Sequence, residues 1–158
     1  ILRAEEGKPN QFIMRSSGRR MDCLHCDNAR QPARIGEEGF ENLTKFNMDG
    51  REVFKFAVTE VPKLIRDLSA KFDFALEDID WFVLHQANAR IIEATSTKLK
   101  VSLDKFPMNI MRTGNTSSAS IPVLLKEMKD NGQLKRGMKL VFASFGGGLT
   151  WDANYIEY

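Results

Sequence analysis

The 158 residues are enough for one domain with a true hydrophobic core. Hydrophobic residues make up 42% and charged residues 28%, with a formal net charge of +2, which fits a folded globular protein and excludes disorder or a strongly basic nucleic-acid binder. No apolar run approaches the roughly 20 residues of a membrane span and no stretch reads as a signal peptide, so the expected compartment is the cytoplasm.

The chain opens at Ile1, not Met, and "ILRAEEGKPN" reads as a strand entered midway; the expectation is a piece of something larger. "GKPNQFIMRSSG" predicts a turn and a brief extended segment. From Arg19 to Gly50, Gly, Pro, Asn, Asp and Arg dominate, predicting a long ordered excursion of the kind that covers a site. The expected division is therefore 1–50, an opening segment with a covering loop, and 51–158, a core that carries the site. "DCLHC" places His25 between Cys23 and Cys26. Zinc needs about four ligands, no second Cys-x-x-Cys exists, and the other histidine is the distant His85. A redox dithiol would open a helix after a strand. The motif is read as two thiols on a loop in a reducing compartment, and no metal is expected.

After Gly50, Phe54, Val58, Val61, Ile65, Leu68 and Phe72 fall on one helical face. Asp49 and Glu52 resemble a capping box, and Pro62 should kink or divide the helix. "IDWFVLHQ" predicts a buried strand. Asn88 caps a second helix through Lys100, with Ile91, Ala94, Thr95 and Leu99 inward. "FPMNIM" predicts a strand and "TGNTSSAS" a loop. A third helix carries Ile121, Leu124, Leu125 and Met128, ended by Asn131-Gly132. "KLVFASF", "GGG" and "TWDANYIEY" read as strand, turn and strand. The alternation favours an α/β layered fold.

Three loops carry candidate chemistry. His85 ends an apolar strand, where open α/β folds place their sites, although such a histidine also serves purely structural roles. Asn115 follows Gly114 in a loop of small residues; a helix-entry cap explains it equally well. Gly146 to Gly148 can expose backbone N–H groups to an anion or form a simple hairpin. Arg90, Lys98, Lys100 and Lys105 form a basic group on or after the second helix, either a solvated face or a surface for an acidic partner.

Taken together, "HQANAR", "GNTSSASIP" and "FGGGLTW" resemble the signature segments of the β-ketoacyl-acyl carrier protein synthase III family, with its thiolase-like fold, from about Gly50 onward. "DCLHC" matches no motif of that family. The resemblance implies the C-terminal half of the αβαβα architecture. Such enzymes join an acyl group, held as a thioester on a cysteine, to malonyl on acyl carrier protein, with loss of carbon dioxide, to initiate fatty acid synthesis. It implies that His85 and Asn115 donate hydrogen bonds to the enolate oxygen and that the Gly147 N–H serves the acylation oxyanion. It places Gly50, Ala87 and Asn88 along a pantetheine tunnel, and Gln86, Arg90 and Lys98 on the surface that docks the carrier. Elongating relatives carry a second histidine where Asn115 stands, so the initiating type is favoured. A polyketide or hydroxymethylglutaryl synthase stays open, as do a non-catalytic coenzyme A- or carrier-binding subunit and a metal-binding module built on "DCLHC". No cofactor is implied beyond coenzyme A thioesters as substrates. A homodimer is expected, with the nucleophilic cysteine in an N-terminal half: neither Cys23 nor Cys26 opens a buried helix that would lower its pKa. Alone, the chain is expected to be inactive.

Overall fold

The computed structural model describes residues 10–26 and 46–158. The strand expected at 1–6 and the middle of the long excursion lie outside the described residues.

The first described strand, β1 (Gln11–Ser16), is the extended piece expected of that segment. A 3-10 turn over Gly18–Cys23 leads into β2 (Leu24–Cys26), which pairs antiparallel with β3 (Phe46–Met48). "DCLHC" is thus the end of a turn and a short strand, with Cys23 buried and Cys26 exposed.

Helix α1 (Gly50–Phe72) starts at Asp49, whose carboxylate accepts from the N–H groups of Arg51 and Glu52, both at 3.0 Å. Only half of the expected capping box forms. The Asp49 N–H is already taken by the Cys23 carbonyl at 2.9 Å, and Glu52 turns instead to Lys55 Nζ at 2.6 Å. Pro62 does not divide the helix. It is buried in one continuous 23-residue element, which forgoes the single bond that a proline cannot donate. The buried face is also rotated from the predicted one: Val53, Phe56, Ala57 and Leu64 lie in it, and Phe54 is left at its margin.

Strand β4 (Trp81–Leu84), α2 (Ala89–Leu99), α3 (Ile110–Thr113), α4 (Ser120–Asp130), β5 (Lys139–Gly146) and β6 (Thr150–Glu157) complete the described strands and α-helices. The strand expected at "FPMNIM" does not form. Phe106 stacks on Phe82 at 4.8 Å, Pro107 has no N–H to give a ladder, and Asn109 begins the turn of α3. Burial of Phe106 accounts for the apolar signal without a strand.

The main sheet runs β1-β6-β5-β4, antiparallel except for the β4–β5 pair. Alternation along the strands sends Phe82, Leu84, Val141, Ala143, Trp151 and Ala153 toward α1 and α2, and Val83 toward Leu124 and Met128 of α4. The sheet is the middle layer between helices, as expected of an α/β layered fold. Because β4 and β5 are parallel, their carboxyl ends meet on one edge, and there His85 N bonds the Ala143 carbonyl at 2.9 Å.

Candidate active site

A cavity of about 580 Å³ opens at that edge. His85, Ala87, Asn88, Asn115, Gly50 and Gly147 all line it, so six of the nine residues singled out in the sequence come together. Leu24, Phe46, Met48, Val53, Phe54, Ile91 and Phe145 supply an apolar wall, and among the described residues that line it His85 is the one titratable group. Neither cysteine lines it. A second cavity of about 370 Å³ shares His85, Ser117, Phe145 and Gly146, and reaches Ser144 and Asp152. His85 therefore faces both spaces.

The imidazole of His85 is half-buried, its Nδ1 2.6 Å from Ser120 Oγ, with the Phe145 ring edge-on at 5.6 Å. Burial disfavours the imidazolium and pushes its pKa below the ordinary 6.5. At neutral pH the ring is uncharged, with one nitrogen donating and one accepting. Asn115 is held by an Asx turn in which its Oδ1 accepts from Ser117 N at 2.8 Å. That commits the oxygen to the loop and leaves the Nδ2 donors for the cavity. At the hairpin between β5 and β6, Gly148 has φ +128, and a Cβ there would lie 3.0 Å from Thr150 Cγ2, so a side chain would be both strained and crowded. Leu24 O stands 3.5 Å from the position of a Gly147 Cβ, so β2 closes over that turn.

The remaining candidates separate. Arg90 is exposed in the first turn of α2, its guanidinium 5.3 Å from the ring centroid of Phe54, which lines the cavity; this keeps the charge at the rim. Lys98 is exposed in the last turn, about 12 Å further along the helix axis. Lys100 is the left-handed C-cap of α2, and Lys105 donates to the carbonyls of Glu77 and Ile79 at 2.7 and 2.8 Å, so both serve the fold. Gln86 is a correction: it is fully buried and cannot meet a docked carrier. Its Nε2 donates to Leu84 O at 2.8 Å, and its Oε1 accepts from Asn109 N at 3.1 Å. This amide takes the place of a strand partner for the segment that the sequence suggested was one. Ser120 and Phe54 were missed as site residues. Ser120 reads as one more helix-entry serine, and Phe54 as one more position on an apolar face. Among the described residues no group of three or more His, Cys, Asp or Glu could hold a metal ion.

Comparison with solved structures defines the class. The synthase III of Aquifex aeolicus VF5 superposes with a TM-score of 0.84 at 34% identity, covering 98% of this chain and 46% of that one. The enzyme of Pseudomonas aeruginosa PAO1 gives 0.84 at 31%, covering 99% and 47%. The fold is α/β and thiolase-like. Residues 70–158 match the family model described as 3-oxoacyl-[acyl-carrier-protein (ACP)] synthase III C terminal. The β-ketoacyl-[acyl-carrier-protein] synthase III of Clostridium novyi (strain NT) is 45% identical over 159 residues, spanning 100% of this chain and 49% of that protein. The chain belongs to the β-ketoacyl-acyl carrier protein synthase III family, as its C-terminal portion. It spans about half the length of the curated relatives it matches.

Proposed function

We propose that this chain is the donor-bearing half of an acyltransferase that initiates fatty acid synthesis by condensing an acyl-coenzyme A primer with malonyl-acyl carrier protein. The observation that carries the proposal is the convergence of His85 and Asn115 on one apolar cavity at the carboxyl ends of β4 and β5.

In this reaction the malonyl carboxylate leaves as carbon dioxide, and the electron pair of the broken C–C bond moves onto the thioester oxygen. The enolate carbon then attacks the acyl thioester, a C–C bond forms, and the cysteine departs as thiolate. The barrier lies in the charge on the enolate oxygen, which prepositioned donors stabilise best in a site poor in water. A neutral His85 offers one N–H, and Asn115 offers Nδ2 at every pH. The Gly147 N–H is assigned to the oxyanion of the earlier acyl transfer. Gly50, Ala87 and Asn88 line the approach for the pantetheine arm, with the apolar wall around it. Arg90 at the rim and Lys98 beyond it face the carrier, where opposite charge speeds encounter more than it tightens binding. The substrates are coenzyme A and carrier-protein thioesters, with no further cofactor.

The nucleophile is assigned to the remaining half. Two observations support this: neither cysteine lines the cavity, and the relatives are about twice as long. The exposed Phe12 and Met14 of β1 give that half an apolar face to cover. The whole enzyme is read as a cytoplasmic homodimer. The test is to assay acetyl-coenzyme A and malonyl-carrier condensation with the 158-residue chain, alone and joined to an N-terminal half from a relative. Turnover is expected only in the joined form. Robust turnover by the chain alone would refute the division, and a joined form that ignores malonyl-carrier but converts acetyl- and added acetoacetyl-coenzyme A to a hydroxymethylglutaryl product would refute the substrate assignment.

A further inference from the structure

Ser120, the first residue of α4, is 2% exposed, and its hydroxyl makes two contacts. Gln86 N lies 3.3 Å from Oγ and His85 Nδ1 lies 2.6 Å from it. A backbone N–H can only donate, so Oγ accepts from Gln86. The hydroxyl has one proton of its own to place, and Nδ1 is the acceptor recorded beside it. Were Nδ1 protonated instead, Ser120 would accept twice, and its buried proton would face no recorded partner, the costly arrangement for a hydroxyl out of water.

The geometry points to Ser120 as the positioning residue that donates to Nδ1 and so fixes His85 in the tautomer whose single proton sits on Nε2. The same bond ties the ring to the start of α4. Since the Gln86 amide side chain is clamped between Leu84 O and Asn109 N, the hydroxyl is braced from both sides. The cavity-facing donor is then set before any substrate arrives. Burial keeps the ring neutral at pH 7, so tautomer choice, not charge, decides which nitrogen donates. The catalytic meaning rests on His85 being the enolate donor; the tautomer assignment does not.

The experiment is nitrogen-15 NMR of histidine-labelled chain near pH 7.5, with a His25→Gln variant to assign the two imidazoles. His85 is expected to show a protonated Nε2 and a lone pair on Nδ1. Ser120→Ala should shift the tautomer ratio toward Nδ1–H by roughly two- to tenfold, the equivalent of one ordinary hydrogen bond, and Ser120→Thr should restore it. A wild-type ring protonated at Nδ1 overturns the inference, and so does an unchanged ratio in Ser120→Ala. If the alanine variant does not fold, the wild-type and threonine spectra decide alone. In the joined enzyme, Ser120→Ala should lower kcat for condensation with little change in KM for malonyl-carrier protein. A normal kcat would overturn the positioning role. An Nε2–H tautomer accompanied by full decarboxylation in His85→Ala would instead sink the functional reading and leave the tautomer assignment standing.

Discussion

At the residue scale, the depressed pKa of His85 has a consequence for stability with a definite sign. The folded state holds the imidazole proton less well than the unfolded chain does, so between the folded pKa and 6.5 the unfolded state binds more protons. Stability contributed by the neutral ring is complete above 6.5 and is lost as pH falls from there toward the folded value. Urea midpoints should therefore fall on acidification from pH 7 to 5, and His85→Gln should flatten that slope; identical slopes would refute the burial argument. His85 and Asn115 stood out as candidates, but each had a structural reading as good, and only the resemblance of their motifs to the family's signature segments implied a donor role. Gln86 could not be placed. One side chain from His85, it looked equally polar, and only the fold shows that its amide is spent on Leu84 and Asn109.

At the element scale, periodicity exposed α1, α2 and α4, and the apolar runs exposed β4 and β5, because each buries one consistent stripe or face. It failed where tertiary contacts overrode local pattern. "FPMNIM" has strand composition, yet Phe106 is buried by stacking on Phe82 and the backbone behind it is met by the Gln86 side chain. Replacing Gln86 by Ala should cost about 1–3 kcal/mol in denaturant unfolding, since the buried Asn109 N–H loses its acceptor, while leaving carrier association unchanged. Arg90→Glu should do the reverse: near-normal stability, slower association in stopped flow, and a weaker dependence on salt. An Arg90→Glu enzyme that binds carrier at the wild-type rate would remove that residue from the docking surface. At the start of α1, Asp49→Ala should cost about 1 kcal/mol, because two N–H groups lose the one carboxylate that caps them.

At the scale of the whole molecule, a layered α/β unit brings three separate loops to one edge and leaves the face of β1 bearing Phe12 and Met14 open. The alternation of strands and helices made this architecture legible. That part of residues 19–50 would cover a site was expected, and Leu24, Phe46 and Met48 do line the cavity; that they do so from two short paired strands was not legible, since short strands in a polar segment leave little periodic signal. The central claim is that this edge stabilises an enolate and does not itself attack a thioester. The most direct measurement separates the two half-reactions in the joined enzyme carrying Asn115→Ala. Transfer of labelled acetyl from coenzyme A to the cysteine should proceed at close to the wild-type rate, while decarboxylation of malonyl-carrier protein falls by about 10²–10³-fold, the loss typical of one prepositioned donor. Lost acetyl transfer with decarboxylation intact would contradict the account.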